Sequence, residues 1–325
     1  MGMVVVFGGL ALASLARGAD LACSRLGIGV LVVVAACSGA LVGCGEQEEG
    51  LVLGVIEPSL NHLPYDLAAV MDDPGLAGVE VRRFASGWEA NEALVAGRID
   101  AAILPFTYAW SDVAQGLPVR VAGFLERESD GIVTRREITT LEELAGRRIG
   151  VLRASTLEVL AAMALHARGI AAELVPLRSP SEMAAALRRG DVDALSFYVP
   201  PILELGDRFH VIHWYGDDHP DHPCCNLAVH GGRVAGKRAE LARLQAALAV
   251  AALRAESDRD QAAQLAARRF GLSEDTAREA LARLRFRPGR EEAGRNFELQ
   301  AARTMRRLGY LATIPDTADV YLPAP

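Results

Sequence analysis

The chain has 325 residues, 51% of them apolar, so it is long enough to bury a large core or to form two lobes of ordinary domain size. Its 34 basic and 41 acidic side chains give a net charge of −7. The sequence contains no basic stripe, which argues against a nucleic-acid-binding protein.

The N-terminal segment predicts export. The uncharged run LGIGVLVVVAACSGALV (residues 26–42) follows Arg17 and Arg25 and precedes the polar stretch GCGEQEEG. A basic flank, an apolar middle and small residues before a cleavage point are typical of a signal peptide. Leu41-Val42-Gly43-Cys44 also resembles a bacterial lipobox, whose cysteine is acylated.

We therefore expect residues 1–44 to be a lipoprotein signal peptide and residues 45–50 a tether, with lipid on Cys44 holding the protein at the bacterial cell envelope. The second apolar stretch, MVVVFGGLALASLA, suggests a start codon assigned too far upstream. A transmembrane anchor is the alternative, although the run is short for the roughly 20 residues that span a bilayer.

Two parts of the chain repeat one plan. Ala85–Phe106 aligns with Arg178–Pro200, and in each a Ser-x-x-Glu capping box precedes an alanine-rich helix that stops at a glycine, Gly97 or Gly190. A short apolar strand follows, as expected for a strand that is buried on both faces. Strand, helix and strand joined by short loops predict α/β structure with parallel sheets, formed twice.

This repeat sets the expected domain organisation. Residues 51–131 and 227–325 are assigned to lobe 1, and residues 132–226 to lobe 2. Val119–Ile138 and His222–Val234 are the segments expected to connect the lobes. From Gly236 onward the chain is rich in alanine, leucine and arginine at helical spacing, which predicts an outer layer of helices.

Three motifs together resemble one family. They are TTLEELAGRRIGVLRAST (139–156), the paired L-x-x-G-x-x-D-A stretches at Leu94–Ala101 and Leu187–Ala194, and HPCCNLAV (222–229). In order and spacing they are similar to the substrate-binding lipoproteins of ABC importers, in the branch that serves nitrate, sulfonates, taurine, bicarbonate and thiamine-pyrimidine precursors.

The resemblance implies a type II periplasmic-binding-protein clamp with two α/β lobes, two hinge crossovers and a helical C-terminal tail. It also implies a monomer without a cofactor or catalytic residues, which captures a small solute and delivers it to ABC permease and ATPase subunits.

Open parallel sheets bind ligands where loops leave the carboxyl ends of the strands. The loops that meet this condition nominate a set of ligand-binding residues: Ser59, Asn61, His62, Ser86, Trp88, Pro105, Phe106, Thr107, Arg153, Ser155, Thr156, Tyr198, His222 and Cys224.

Several of these residues have two interpretations. Ser155 and Thr156 open a helix whose free N–H groups could hold an oxyanion, or Ser155 could form an ordinary capping box with Glu158. Arg153 could bind a sulfonate or remain solvated, and Trp88 could be a flat wall or packing. The neutral form of His62 could hydrogen-bond a ligand ring or oxyanion.

The class of solute is the next question. The candidate loops are richer in aromatic residues than the chain as a whole, which is 6% aromatic. Nitrate would need little apolar wall. We therefore expect a small organic solute, either an oxyanion such as a sulfonate or a heterocycle.

Five of the seven histidines, with Cys224 and Cys225, lie between positions 210 and 230. A zinc site needs about four converging ligands, whereas adjacent residues on a strand point to opposite faces and Pro220 and Pro223 stiffen the segment. We therefore expect no metal site. Cys224 and Cys225 are expected to be buried, unbonded thiols, and His219 a solvated loop residue.

Two rival functions stay open. One is an enzyme of the same fold in pyrimidine or menaquinone precursor synthesis, which the predicted export disfavours because such synthesis is cytoplasmic. No Gly-x-Ser-x-Gly arrangement supports a nucleophile. The other rival is a metal-binding lipoprotein, which the histidine cluster alone suggests.

Overall fold

The computed structural model describes residues 50–323. The predicted signal peptide, the lipidation site Cys44 and most of the predicted tether lie outside the described residues. None of the helices within residues 50–323 combines the length and the apolar character needed to cross a membrane.

The strands form two sheets. In chain order they are β1 Val52–Ile56, β2 Glu80–Phe84, β3 Ala101–Pro105, β4 Val119–Glu128, β5 Asp130–Arg135, β6 Arg148–Leu152, β7 Glu173–Leu177, β8 Ala194–Tyr198, β9 Phe209–Trp214, β10 Pro223–His230 and β11 Leu284–Gly289. The first sheet has the order β11-β4-β10-β3-β1-β2, and the second has the order β7-β6-β8-β5-β9.

Helices flank both sheets. In chain order they are α1 Leu63–Val70, α2 Gly87–Val95, α3 Phe106–Ala114, α4 Thr156–Ala167, α5 Pro180–Arg189, α6 Tyr215–Asp218, α7 Gly231–Val234, α8 Arg238–Ser257, α9 Arg259–Phe270, α10 Glu274–Arg283, α11 Glu292–Arg307 and α12 Thr317–Val320. The C-terminal helices cover the first sheet, with α8 packed against α1 and β11 and α11 against α3 and α4. The predicted two-lobed α/β fold is confirmed.

The two halves use the same kind of helix cap, as the repeat predicts. Ser86 accepts a hydrogen bond from the Glu89 backbone N–H, and Ser179 accepts one from that of Glu182, each at 3.2 Å. Gly190, with φ +85°, ends α5 in the left-handed conformation that glycine adopts at no steric cost.

The repeated aspartates, Asp100 and Asp193, also accept equivalent hydrogen bonds. The Asp100 carboxylate accepts from the N–H of Val52 at 2.7 Å, and that of Asp193 from Arg148 at 2.9 Å. In each half the aspartate that precedes the second strand of the repeat, β3 or β8, therefore fixes the start of the parallel neighbouring strand, β1 or β6.

The chain crosses between the sheets twice. The first crossing lies between β4 and β5, where Glu128 and Ser129 have φ values of +61° and +80°; near the second, Asp221 has φ +62°. Non-glycine residues seldom adopt this conformation, and such outliers often mark functional segments.

The crossings fall slightly earlier than the expected lobe boundaries. The strand β5 belongs to the second sheet from Asp130, before the boundary at 131. Likewise β10 belongs to the first sheet from Pro223, before the boundary at 226.

Candidate functional site

Residues of both sheets meet beside the first crossing. In the first sheet Cys225 of β10 pairs with Pro105 on one side and Glu126 on the other. In the second sheet Asp130 pairs with Tyr198. We use the term interlobe site for Asn61, Glu126, Asp130, Tyr198, Cys224 and Cys225.

Direct contacts join this group. The Asn61 Nδ2 donates to Cys225 Sγ at 2.9 Å, and from the second lobe the Thr156 hydroxyl donates to the Cys224 carbonyl at 3.4 Å. The site is therefore built from groups of both lobes, next to the two crossings about which the lobes would move.

Several buried polar atoms in and around the interlobe site have no hydrogen-bond partner among the described residues. They are His62 Nδ1, Thr107 Oγ1, both carboxylate oxygens of Glu126, Asp130 Oδ2 and His222 Nε2. Buried polar groups are nearly always satisfied, so a concentration of unpaired ones indicates a place for a further binding partner.

His62 presents a defined tautomer. The Ile56 backbone N–H donates to His62 Nε2 at 3.1 Å, so in the neutral ring the proton lies on Nδ1. Burial lowers the pKa of His62 to about 3. The residue is therefore a neutral hydrogen-bond donor at physiological pH.

The Glu126 carboxyl group and the Cys224 thiol are held in their neutral forms. Burial, followed by the proximity of Cys225 and Asp130, raises the pKa of Glu126 well above its usual value; nearby Ser129 and Cys224 offset only part of this. The contact with Cys225, followed by burial, raises the pKa of Cys224. Uncompensated buried charge is costly, and protonation avoids that cost.

The start of α4 differs from the predicted capping box. Ser155 does not accept from Glu158; instead its hydroxyl donates to the Leu152 carbonyl at 2.5 Å. The buried Glu158 carboxylate accepts from the Ala154 N–H at 2.6 Å and from the Tyr310 hydroxyl at 2.7 Å. The Glu158 carboxylate thus already lies beside the start of α4, next to the Ser155 and Thr156 N–H groups that the oxyanion interpretation requires.

The other candidate ligand-binding residues differ in how far they are buried. Ser59 caps a short turn by accepting a hydrogen bond from the Asn61 backbone N–H at 3.3 Å, and Ser86 caps α2. Phe106 is buried, with its ring edge-on to Phe297 at 6.1 Å. Trp88 is 60% exposed, and Arg153 is also exposed.

Two histidines beside β10 pack against Phe297. The His222 ring is buried 5.3 Å from that of Phe297, and its Nδ1 lies 2.8 Å from the His219 carbonyl. His219 is half-buried against the same phenylalanine at 5.3 Å, so its expected place as a solvated residue is wrong.

Cys224 and Cys225 are buried free thiols, as expected. The expectation that they face opposite sides is wrong, because β10 is irregular at this point: its pairing with β4 shifts register on both sides of Cys225. A bulge of this kind breaks the alternation of side chains. Both Sγ atoms and a Glu126 carboxylate oxygen consequently lie within 4.8 Å of one another.

Sequence reasoning missed Glu126, Asp130 and Cys225. The available signal was the stretch LERESD, which places acidic residues directly after the apolar run of β4. An acid that continues a buried strand is unusual and points to a site.

Two open surface hollows lie elsewhere. One is lined by Arg135, Arg188 and Phe209, and the other by Val52, Arg82 and Arg233. Neither borders the interlobe site, where the lobes are packed together and the unpaired groups are concentrated.

Two α/β lobes joined by two crossings, with polar groups of both lobes between them, define the periplasmic-binding-protein fold. The chain matches the model of the NMT1-like family over residues 67–270, and it belongs to that family.

Solved structures share the fold. The aliphatic sulphonate binding protein SsuA from Escherichia coli is 19% identical, with a TM-score of 0.71 over 83% of this chain and 96% of that one. A zinc-bound ligand-binding component of an ABC-type import system from Staphylococcus aureus is 18% identical, with a TM-score of 0.73 over 85% and 97%. The nitrate-binding protein NrtA from Synechocystis PCC 6803 is 15% identical, with a TM-score of 0.67 over 83% and 84%. Comparison with curated proteins gives no match.

Proposed function

We propose that this protein is the extracytoplasmic solute-binding subunit of an ABC importer, which holds a small organic solute between its lobes and delivers it to the permease. The observation that carries this proposal is the set of buried, unpaired polar atoms at the meeting of the two lobes. The structural relatives that are named for sulfonate or nitrate binding support the same general role.

The hydrogen-bonding character of the site favours a nitrogen heterocycle over an oxyanion. If the His222 Nδ1–H donates to the His219 carbonyl, its Nε2 is an acceptor, as are Asp130 Oδ2, which lies 4.0 Å from it, and the carbonyl oxygen of the neutral Glu126 carboxyl group. His62 Nδ1–H is a donor, and the Thr107 hydroxyl can serve either way. A nitrogen heterocycle offers both N–H donors and ring-nitrogen acceptors and so complements this mixed set, whereas a sulfonate or nitrate offers acceptors only.

The ionisable groups near the site also favour a nitrogen heterocycle over an oxyanion. Glu126 and Asp130 are buried at the site, while Arg153 is exposed. The buried Arg127 of β4 is already paired with Asp221 and Glu291. An anion would therefore meet carboxyl groups, and among residues 50–323 no free buried guanidinium lies beside them to attract it.

The proposed mechanism is a shift between open and closed lobes. Asn61 and His62 belong to the first lobe, and Asp130, Thr156 and Tyr198 to the second, so a solute touches all of them only when the cleft is shut. Binding then favours the closed state by the difference in its affinity for the two states. The closed form is the one proposed to dock on the permease, while lipid on Cys44 keeps the protein at the membrane.

The enzyme alternative has less support. Among residues 50–323, no histidine hydrogen-bonds a serine, threonine or cysteine side chain, although such a pair is the usual means of activating a nucleophile. The fold neighbours compared above are named as binding proteins, and import of a solute needs no bond chemistry.

The test is a thermal-unfolding screen of the full chain in mild detergent, followed by intrinsic fluorescence with a chelator present. The panel contains 4-aminopyrimidine and its methylated forms, uracil, alkanesulfonates, taurine, nitrate and bicarbonate. A ligand at a hundredfold excess over its dissociation constant should stabilise the native state by roughly 2.7 kcal/mol.

Asp130→Asn should weaken the best ligand, while Asp207→Asn, at an exposed aspartate of the same lobe, should leave it unchanged. Stabilisation by sulfonates alone would contradict the proposed solute class. Absence of binding across the panel, together with a lack of solute uptake by cells that carry the gene and its permease, would contradict the transport function.

A further inference from the structure

The irregular start of β10 gathers three potential metal ligands on one side of a sheet. Cys225 lies opposite Glu126 of β4, and the register shifts around Cys225 turn the neighbouring Cys224 toward the same carboxylate. The two thiol sulfurs and a Glu126 oxygen all lie within 4.8 Å of one another.

All three groups are withdrawn from solvent. Glu126 is 0% exposed, Cys225 3% and Cys224 6%, and neither oxygen of Glu126 has a hydrogen-bond partner in the described chain. A buried carboxyl group without a partner is costly, and a bound cation is one of the few groups that can offset that cost.

The donor set selects the class of cation. Mg²⁺ and Ca²⁺ prefer sites made of oxygen atoms, whereas thiolates select softer ions such as Zn²⁺. Ligands about 2.1 to 2.3 Å from one tetrahedral ion are separated from each other by about 3.5 to 3.8 Å, so the group needs to contract by only about 1 Å. We propose that Glu126, Cys224 and Cys225 form a binding site for one thiophilic divalent cation of the Zn²⁺ type.

The surroundings support a built site. Asn61 Nδ2 donates to Cys225 Sγ at 2.9 Å, which is the type of outer contact that orients a metal ligand. The three ligands stand on β4 and β10, neighbouring strands of one sheet, so movement of the second lobe leaves their spacing intact. Because the groups are buried, an ion would enter when the lobes part.

This inference goes beyond the proposed transport of an organic solute and does not depend on it. The probe is Co²⁺, added to the chelator-treated, reduced full chain, with the ultraviolet thiolate-to-cobalt charge-transfer band as the readout. Zn²⁺ is then added to displace the cobalt. We expect one equivalent of Co²⁺ to be bound per chain and to be fully displaced by Zn²⁺.

The variants locate the ion. The full chain also contains Cys23, Cys37 and Cys44, so loss of the band in Cys224→Ser and Cys225→Ser, rather than the band itself, identifies the site. Outer-contact changes alone cost about 10- to 100-fold in metal affinity, so loss of a thiol ligand should weaken Zn²⁺ binding by about 100-fold or more. Asn61→Ala should weaken it about tenfold.

Two controls keep the result interpretable. Glu126→Gln preserves the shape of the side chain, so its reduced affinity is informative if the urea midpoint is retained. Asp217→Ala changes an exposed acid near β10 and should bind like the native protein. Unchanged Zn²⁺ affinity in the folded Cys224→Ser/Cys225→Ser double variant, or no cobalt–thiolate band in the native chain, would overturn the proposal. Solute binding measured with chelator is a separate result, so either proposal can fail alone.

Discussion

Removal of the Glu298 carboxylate should strongly destabilise the packing of α11 against β10. Glu298 of α11 is fully buried, and it accepts hydrogen bonds from Trp110 Nε1 at 2.8 Å, Asn226 Nδ2 at 2.7 Å and the Tyr321 hydroxyl at 2.6 Å. Glu298→Ala leaves these three buried donors without an acceptor.

The magnitude follows from the donors. Each unsatisfied buried group costs about 1 to 3 kcal/mol. Burial raises the pKa of Glu298, so the carboxyl group itself carries a desolvation cost that its removal relieves. We therefore place the expected loss in the lower part of the summed range, at roughly 3 to 6 kcal/mol.

Glu298→Gln is the matched variant. Its carbonyl can replace Oε2 and keep the bonds from Trp110 and Tyr321. Its amide would face the Asn226 Nδ2, but the Asn226 Oδ1 has no partner, so a turn of that side chain restores the pairing. We expect this variant to lose less than about 1.5 kcal/mol.

Urea unfolding of the full chain, followed by tryptophan fluorescence, measures both losses as shifts of the midpoint at an unchanged slope. Glu292→Ala removes an exposed glutamate from the same helix and should change stability by less than about 1 kcal/mol. A Glu298→Ala loss no larger than that of this control would refute the hydrogen-bond reasoning.

Three further predictions concern titration and backbone conformation. Burial raises the pKa of Asp112 to about 6 despite a hydrogen bond from Asn91. The contribution of Asp112 to the free energy of unfolding therefore favours folding at low pH and is lost as the pH rises from about 4 through about 6. Asp112→Asn should flatten that part of the urea-stability profile and add at most about 3 kcal/mol at pH 7. A steeper profile in the variant would contradict this sign. Gly190→Ala should cost about 1 to 2 kcal/mol in the same unfolding assay because φ is +85°, whereas Gly236→Ala, at an open position, should be near neutral; equal effects would contradict the backbone argument. NMR of the His62 ring should show no titration between pH 5 and 8, because burial lowers its pKa to about 3, and a midpoint near 6.5 would contradict its described burial.

The fold could be predicted largely because its signals are local. The paired Ser-x-x-Glu boxes, the glycines that end α2 and α5, and the short apolar strands each specify a strand-helix-strand unit without reference to the rest of the chain. Their repetition then indicates two lobes. Asp100 and Asp193 show why the repeat is so regular: each fixes the start of a neighbouring strand.

The site was harder to predict, because it depends on non-local geometry. Alternation along a regular strand places Cys224 and Cys225 on opposite faces, and only the register shift between β10 and β4 brings their sulfurs together. The role of Glu158 at α4 likewise depends on contacts with Ala154 and Tyr310, the second of which lies far along the chain. A sequence pattern identifies an acidic residue and the start of a helix, but it does not show which groups the acidic residue contacts in the fold.

Hydrogen–deuterium exchange of the full chain, with and without the solute that stabilises it most, tests the two-lobed binding account most directly. The account predicts that saturating solute protects backbone amides in both lobes together, at residues 57–62 of the first and at 153–156 and 198–202 of the second, with the exposed end of α8 unchanged. Protection confined to one lobe, or spread evenly over the chain, would contradict a ligand held between the lobes.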